Sequence, residues 1–336
     1  MIPSHRRRRR IDVSNAARPS VAPSEHQSEL LLVSYIRALR PRQWTKNLIV
    51  FAAPLFAFNI TVTSLLNGFL AFALFCCASS SFYLINDLID VESDRRHPIK
   101  CKRPIASGAV SVAAAIALAA TLLGFALLAG WWKAYGLGAA ILGYALLQVA
   151  YNIKLKHKVI VDVVAIAAGF IFRALGGAAA TGITLSHWFL LCTAMLALFL
   201  GIEKRKAELR LSEISGKKSR KVLDRYSLPL LSRMESVVTN GTIITYALWS
   251  SGPAVNGAST PWMMLTIPFV LYGVFRYQLL SDPEEISRKN TGLEAGGETE
   301  RPEEILLGDK PLLFSVLSWI SVIFIILSLE SRGIIQ

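Results

Sequence analysis

The chain has 336 residues, of which 53% are hydrophobic and 18% are charged, and its mean hydropathy is +0.46. This composition excludes an ordinary water-soluble protein of this length and predicts one that crosses a membrane several times. In a membrane protein, a net charge of +13 is accounted for by cations in cytoplasmic loops and by attraction to anionic lipid or phosphorylated substrates. We therefore expect no nucleic-acid partner. The four cysteines form no CxxC pair, which argues against a zinc site or a disulfide framework.

The N-terminal 34 residues are polar and rich in Arg, Ser and Pro, with five consecutive arginines at 6–10. We interpret 1–34 as a disordered basic arm and 35–336 as one transmembrane domain. The stretch 35–47 carries several cations around Trp44 and predicts a helix that lies at the membrane interface.

Nine apolar segments follow, each long enough to cross a membrane, and together they predict an all-α fold. Their expected limits are 48–66, 68–90, 111–130, 134–152, 162–180, 186–204, 236–252, 260–280 and 311–329. Lys and Arg concentrate in the arm and in the loops after the second, fourth, sixth and eighth segments. The positive-inside rule therefore places the N-terminus and these loops in the cytoplasm and the C-terminus outside.

The most informative stretch begins where the second apolar segment runs into acidic residues. Asp87, Asp90 and Asp94 are spaced by three and four residues, which predicts that they share one helical face. Three carboxylates on one face repel one another, and the C-terminal end of a helix disfavours them further, so we expect a bound cation. Mg²⁺ fits, because it usually takes one or two carboxylates together with substrate phosphates.

Cations follow these acids directly, and among them Lys100 and Arg103 are suited to bind phosphate. Carboxylates for a metal beside cations for phosphate predict a site for a diphosphate, in which Asn86 would assist the three aspartates. The alternative is a solvated loop of mixed charge between two helices.

Two later groups of polar residues also lie near the predicted cytoplasmic ends of apolar segments. Tyr151 and Lys156 follow the fourth segment, and Asp162 opens the fifth. Arg173 lies inside the fifth segment, where an arginine is costly. We expect it to contact a phosphate or carboxylate in a cavity, or to form a structural ion pair with Asp162 as a candidate partner.

The end of the sixth segment repeats the pattern of an apolar run followed by charge, but here cations dominate. Lys204 and Arg205 are followed by Glu208, and we interpret the three as part of the substrate site. The alternative is ordinary positive charge flanking a membrane helix.

The stretch NDLIDVESDRRHPIKCKRPIASG resembles the NDxxDxxxD motif of the UbiA superfamily of intramembrane prenyltransferases, whose members have nine spans. Residues 36–330 resemble one branch more closely, the decaprenyl-phosphate phosphoribosyltransferases. That likeness rests on RPRQWTKNLIVFAAPLF, on YNIKLKHKVIVDVVAIAAGFIFRALGG, on PEEILLGDKPLL, and on GIEKRKAEL where prenyltransferases typically have a second Asp-rich motif.

The resemblance implies nine helices around a central cavity that opens to the cytoplasmic side of the plasma membrane. It further implies Mg²⁺-dependent transfer of 5-phosphoribosyl from phosphoribosyl diphosphate (PRPP) to a decaprenyl-type polyprenyl phosphate, for cell-wall polysaccharide precursors. We expect Asp87, Asp90 and Asp94 to bind the metal and act in catalysis. The residues expected to contact substrate are Lys46, Asn86, Lys100, Arg103, Tyr151, Lys156, Asp162, Arg173, Lys204, Arg205 and Glu208.

Two other functions stay open at this point. One is an aromatic or quinone-pathway prenyltransferase of the same superfamily, although the acidic second motif expected for it is missing. The other is an anion transporter, although the charges lie near the membrane edge rather than at its midplane. Oligomeric state is also open, a homo-oligomer included.

Overall fold

The computed structural model of the chain describes residues 25–57, 61–97, 99–215, 222–252, 257–282, 305 and 308–335. Every element within those ranges is helical, which confirms the all-α prediction. The α-helices are α1 (Glu25–Leu39), α2 (Ala52–Phe56), α3 (Val62–Ile89), α4 (Val91–Arg96), α5 (Val112–Lys133), α6 (Tyr135–Ile153), α7 (Val161–Thr181), α8 (His187–Ser215), α9 (Leu228–Ser251), α10 (Ile267–Leu280) and α11 (Lys310–Ser331). Short 3₁₀ helices cover Pro41–Phe51, Lys100–Lys102, Leu155–His157, Leu223–Arg225 and Pro261–Thr266.

Seven helices in the described ranges are long and apolar enough to cross a membrane, so the chain is an integral membrane protein. They are Val62–Ile89, Val112–Lys133, Tyr135–Ile153, Val161–Thr181, His187–Ser212, Pro261–Leu280 and Lys310–Ser331. The other two expected spans, 48–66 and 236–252, are not among them. α9 covers the second of these but includes Arg233 and Glu235, which lower its hydropathy. Nine crossings and a central cavity therefore stay predictions.

The first expected span, 48–66, is wrong as a single helix. The chain forms the 3₁₀ helix Pro41–Phe51 and the short α2, and α3 then begins at Val62. Thr61 and Ser64 set this start through a reciprocal cap. The Thr61 side chain accepts from the Ser64 amide at 3.1 Å, and the Ser64 side chain accepts from the Thr61 amide at 3.2 Å.

The expected interface helix at 35–47 also has different limits. α1 begins at Glu25, ten residues inside the expected disordered arm, and ends at Leu39; the arm up to residue 24 lies outside the described residues. Arg40 adopts the left-handed conformation (φ 54°, ψ 61°). Pro41 explains this break, because a proline disfavours the right-handed helical conformation in the residue before it.

α7 is the central helix of the part that carries the charged motifs. It packs on α3, α6, α8 and the 3₁₀ helix Pro41–Phe51. Gly177 permits this close approach, since a Cβ there would lie 2.0 Å from the Val50 carbonyl oxygen. The aromatic ring of Phe75 fills the space beside Gly176. The backbone of α7 is thus held against both N-terminal elements that bear site residues.

α8 is longer than expected. The sixth span was expected to end at 204, but the helix continues to Ser215. Lys204, Arg205 and Glu208 therefore lie inside a continuous helix, where residues three and four apart are neighbours. This places the second charged group on a rigid element rather than in a loop.

Candidate active site

The first acidic motif spans the junction of α3 and α4. Asp87 lies in the last turns of α3 and Asp94 in α4, and both are buried. Asp90 is the half-buried residue between the two helices. Its amide donates to the Asn86 carbonyl at 3.0 Å and its carbonyl accepts from the Asp94 amide at 2.8 Å. The helical hydrogen bonding thus runs on through the junction.

Arg103 joins the two buried aspartates. Its Nη1 donates to Asp87 Oδ1 at 3.0 Å and to Asp94 Oδ2 at 2.7 Å. The chain returns to this point through a tight turn in which His97 Nδ1 accepts from the amides of Ile99 and Lys100, each at 3.2 Å. Two carboxylates seven residues apart therefore converge on one cationic nitrogen.

Arg40 is a site residue that the sequence analysis missed. Its Nη2 donates to Asp87 Oδ1 at 2.6 Å, and its guanidinium carbon lies 5.1 Å from the centre of the Tyr83 ring. Its left-handed backbone costs about 1–2 kcal/mol in a non-glycine residue, and backbone strain of this kind concentrates at functional sites. The Arg-Pro pair at the start of RPRQWTKN was the available signal.

The expected metal set of three aspartates is not assembled. In the described part of the chain, no three His, Cys, Asp or Glu side chains are close enough to hold an ion by themselves. Asp87 and Asp94 are brought together by their shared contact to Arg103, whereas the half-buried Asp90 does not complete a group of three with them in the described residues. Two converging carboxylates still fit Mg²⁺, because this ion commonly takes one or two carboxylates and completes its shell with substrate phosphates and water.

The remaining residues expected near this motif are placed around it. Asn86 is half-buried one position before Asp87, and Lys100 is exposed on the 3₁₀ helix Lys100–Lys102. Lys46 lies on the 3₁₀ helix Pro41–Phe51, and its ammonium donates to Gln43 Oε1. These positions leave the role of each in substrate binding a prediction.

A second cluster is built around Arg205 on α8. Its Nε donates to Asp162 Oδ2 at 2.7 Å, its Nη1 to Glu208 Oε2 at 2.5 Å and its Nη2 to the Tyr151 hydroxyl at 3.3 Å. The side chain is 1% exposed. Direct contact between Arg205 and a substrate phosphate, which we expected, does not fit this arrangement. The four predicted residues are brought together, but as a buried network.

Tyr226 completes this network and was also missed. Its hydroxyl donates to Asp162 Oδ1 at 2.7 Å and accepts from the Ile160 amide at 2.7 Å. Burial raises the pKa of the Tyr226 hydroxyl, and the bond to Asp162 raises it further, so the hydroxyl is protonated at neutral pH. No sequence motif marks this tyrosine, because its partners lie more than sixty residues away.

The cations of the second motif differ in exposure. Lys206 is buried between Glu203, at 2.9 Å, and Glu235 of α9, and so it links α8 to its neighbour. Lys204 is 35% exposed, compared with 1% for Arg205 and 9% for Lys206, and its ammonium lies 4.0 Å from Glu208 Oε1. Lys204 is therefore the cation of this motif best placed to meet a substrate. Lys156 is half-buried on the 3₁₀ helix Leu155–His157.

Arg173 binds other partners, and Asp162 is not one of the three contacts that follow. Its Nε donates to Asn47 Oδ1 at 2.6 Å, Nη1 to the Gly169 carbonyl at 2.8 Å and Nη2 to the Tyr144 hydroxyl at 3.0 Å. The alternative of a structural ion pair with Asp162 is not formed, since Asp162 accepts from Arg205 of α8 instead. A contact of Arg173 with a phosphate or carboxylate in a cavity stays a prediction. Arg173 instead ties α7 to α6 and to the 3₁₀ helix Pro41–Phe51.

Comparison with known proteins agrees with this architecture. The model of the UbiA prenyltransferase family matches residues 47–292. The decaprenyl-phosphate phosphoribosyltransferase of Mycolicibacterium smegmatis is 37% identical over 93% of this chain and 96% of its own length. The protein of the same name from Corynebacterium glutamicum is 35% identical over 85% of this chain and 84% of its own.

Among solved structures, a UbiA homologue from Archaeoglobus fulgidus bound to GPP and Mg²⁺ superposes with a TM-score of 0.63. The superposition covers 88% of this chain and 99% of that one at 20% sequence identity, so it supports the fold. The family match covers most of the chain and includes both charged groups. This chain belongs to the UbiA prenyltransferase family.

Proposed function

We propose that the chain transfers the 5-phosphoribosyl group of PRPP to the phosphate of a decaprenyl-type polyprenyl phosphate and releases diphosphate. The observation that carries this proposal is its likeness, along nearly the whole length of both chains, to decaprenyl-phosphate phosphoribosyltransferases. The charges of the candidate site support it. Two phosphorylated substrates in one site need many cations, and the second motif is rich in cations where a second Asp-rich motif would suit a prenyl diphosphate.

The acidic centre is the proposed place of the leaving diphosphate. A magnesium ion bound by Asp87 and Asp94, with Asp90 nearby, would neutralise the charge that develops on that group as the ribose C1–O bond breaks. Asp87 and Asp94 hold the site rigid through their burial and through the shared contact to Arg103. We expect Arg103 and Arg40 to donate to phosphate oxygens as well, since donors that are held in place stabilise charge as it develops.

The acceptor needs little activation. A polyprenyl phosphate is anionic at neutral pH, so its oxygen can attack C1 without a strong general base. The new C1–O bond forms on the face opposite the leaving diphosphate, whose oxygen takes the electron pair of the broken bond. The product is therefore a β-linked lipid phosphoribose. We place Lys204 among the donors to PRPP phosphates because its side chain is partly exposed. The buried Arg205 would support Lys204 without contacting the phosphates itself.

The cell would present PRPP from the cytosol, so we propose that both charged groups face the cytoplasm at the plasma membrane. The distribution of Lys and Arg supports this orientation. The product would serve as a precursor of cell-wall polysaccharide.

The test is turnover by purified protein in detergent. Labelled PRPP with decaprenyl phosphate is compared with a prenyl diphosphate plus 4-hydroxybenzoate, and lipid-linked product is separated by extraction and chromatography. We expect product only from the first pair, loss of turnover in EDTA, and recovery with Mg²⁺. Turnover in detergent, where no sealed compartment exists, also excludes a transporter.

A matched pair of variants makes this test specific to the site. Asp87→Asn removes a buried carboxylate of the acidic centre. Glu92→Gln removes an exposed carboxylate of the same motif, which pairs only with Arg95 on the surface of α4 among the contacts seen. We expect the first variant to lose turnover and the second to keep it. Product from the prenyl diphosphate pair alone would overturn the proposed function.

A further inference from the structure

The turn between α6 and α7 holds a residue in a costly backbone conformation. Ile160 has φ 71° and ψ −48°, a region that a β-branched side chain rarely adopts. Such strain persists only where surrounding contacts hold the backbone in place. The turn precedes Asp162 by two residues, so whatever holds Ile160 also acts on the start of α7.

Tyr226 supplies that contact from a distant part of the chain. It is buried at the end of the 3₁₀ helix Leu223–Arg225, just before α9. Its hydroxyl accepts from the Ile160 amide and donates to Asp162, both at 2.7 Å. One hydroxyl therefore satisfies the strained peptide and orients the carboxylate that follows it.

The same carboxylate orients the second charged motif. Asp162 uses its other oxygen to accept from Arg205 Nε at 2.7 Å. Arg205 in turn donates to Glu208 Oε2 at 2.5 Å, and the other oxygen of Glu208 lies 4.0 Å from the Lys204 ammonium. An unbroken series of contacts thus leads from Tyr226 to the most exposed cation of the motif.

We propose that Tyr226 is a positioning residue for the diphosphate donor, and that it acts through Asp162 and Arg205 on Lys204. This rests on the proposed function and deepens it, because it assigns donor binding to a specific network. Without the hydroxyl, Asp162 loses one of its two partners and Arg205 loses a fixed acceptor. Lys204 and Glu208 then sample several orientations, and the donor phosphates meet a less organised site.

The primary variant is Tyr226→Phe, which removes one oxygen and keeps the ring. We expect the KM for PRPP to rise about tenfold, which is equivalent to about 1.4 kcal/mol of donor binding, while the KM for polyprenyl phosphate stays unchanged. Binding of inorganic diphosphate in the presence of Mg²⁺, measured by calorimetry, should weaken by the same factor. This second readout does not depend on which acceptor the enzyme uses.

The control is Tyr246→Phe on α9. Tyr246 is equally a buried tyrosine whose hydroxyl is hydrogen-bonded, to Thr266 at 2.6 Å and to Trp319 at 2.8 Å. It packs in a hydrophobic cluster with Phe189, at the opposite end of α8 from Arg205. We expect its kinetic constants and its diphosphate affinity to match the wild type.

Two further substitutions, Asp162→Asn and Ile160→Gly, separate positioning from folding. The double variant Asp162→Asn, Tyr226→Phe should change the KM for PRPP by less than the two single changes combined. The effects are non-additive because both residues belong to the same series of contacts. Should Tyr226→Phe fold poorly, Ile160→Gly in that background relieves the strained turn, since glycine adopts positive φ freely. We expect this second change to restore folding but leave the PRPP defect.

An unchanged KM for PRPP and unchanged diphosphate affinity in folded Tyr226→Phe would overturn the proposal. Equal changes for both substrates, or additive effects with Asp162→Asn, would do the same. Failure of the proposed function looks different, because the wild-type protein itself would not use PRPP. The diphosphate measurement then still decides whether Tyr226 acts on the donor side.

Discussion

Arg103 allows the charge balance of the acidic centre to be tested directly. Replacing it by methionine keeps an unbranched apolar stem and removes the guanidinium that bridges Asp87 and Asp94. In the substrate-free protein, the two buried carboxylates then lack their shared cation. Asp87 keeps its contact to Arg40. We expect the variant to be less stable and to respond more strongly to Mg²⁺ than the wild type.

The magnitude follows from the exposure of the partners. Removing one partner of a fully buried ion pair costs about 3–5 kcal/mol, and a hydrogen bond to a charged group contributes about 1.5–3 kcal/mol. The two aspartate side chains are 4% and 3% exposed, but Arg103 is 29% exposed, so solvent screens part of the interaction. We therefore expect the free energy of unfolding to fall by about 2–3 kcal/mol and the thermal midpoint by on the order of 5 °C.

The assay is thermal unfolding of detergent-purified protein across a Mg²⁺ titration. In the wild type, an ion bound at the proposed site would compete with the Arg103 guanidinium for the oxygens of Asp87 and Asp94. In Arg103→Met the negative charge of those oxygens would be less neutralised before the ion binds. Mg²⁺ should therefore raise the midpoint of the variant more than that of the wild type. Arg95→Met is the control, because Arg95 pairs with Glu92 on the surface and its loss should cost less than about 1 kcal/mol.

The reasoning would be refuted by an Arg103→Met protein whose midpoint without metal equals that of the wild type. Equal Mg²⁺ shifts in the two proteins would refute it as well, since the ion would then not bind where Arg103 does. If the thermal midpoint of the Arg95→Met control fell as far as that of Arg103→Met, the loss of any positive charge would be shown to have this effect.

Three further predictions address single features of the site and of its orientation. Asp90→Asn should keep its thermal midpoint, because Asp90 is half-buried at a helix junction, but lower kcat by about 10- to 100-fold, the usual cost of losing a group that supports a metal site; wild-type kcat would show that Asp90 has no part in the proposed metal site. Lys204→Met should raise the KM for PRPP and leave the KM for polyprenyl phosphate unchanged, as judged from initial rates, whereas normal constants would restrict Lys204 to a topological role. In a cysteine-free background, a cysteine at Thr184 should react with an impermeant reagent from outside intact cells, and one at Lys158 only after permeabilisation; the reverse pattern would invert the orientation.

Much of the fold was predictable because hydropathy is a local property. The expected spans at 111–130, 134–152 and 162–180 agree with α5, α6 and α7 to within three residues at each end. The span at 48–66 was wrong because a cap decides a helix start, and the reciprocal cap of Thr61 and Ser64 outweighs an apolar run that continues past it. Composition alone does not distinguish one broken segment from one continuous helix.

The candidate site was predictable in part. The aspartates and Arg103 stand close together in the sequence, and short-range spacing suffices to place Asp87 near the end of α3 and Asp94 in α4, which follows directly. Arg40 and Tyr226 were missed because their contacts to Asp87, Ile160 and Asp162 join residues more than forty positions apart. The contact of Arg173 to Asn47 spans a still longer separation, 126 positions. A buried charge must find a partner, but the pattern of charges along the chain does not say which.

The sequence by itself determined that this protein crosses a membrane, that its acidic motif follows a long apolar helix, and that cations accompany that motif. These properties depend on transfer of side chains from water and on spacing within one helix. Only the tertiary structure decided that Arg103 bridges Asp87 and Asp94, and that Arg205 is enclosed with Asp162 rather than open to substrate. Those pairings depend on which helices pack side by side, and packing is set by the shapes of many side chains together.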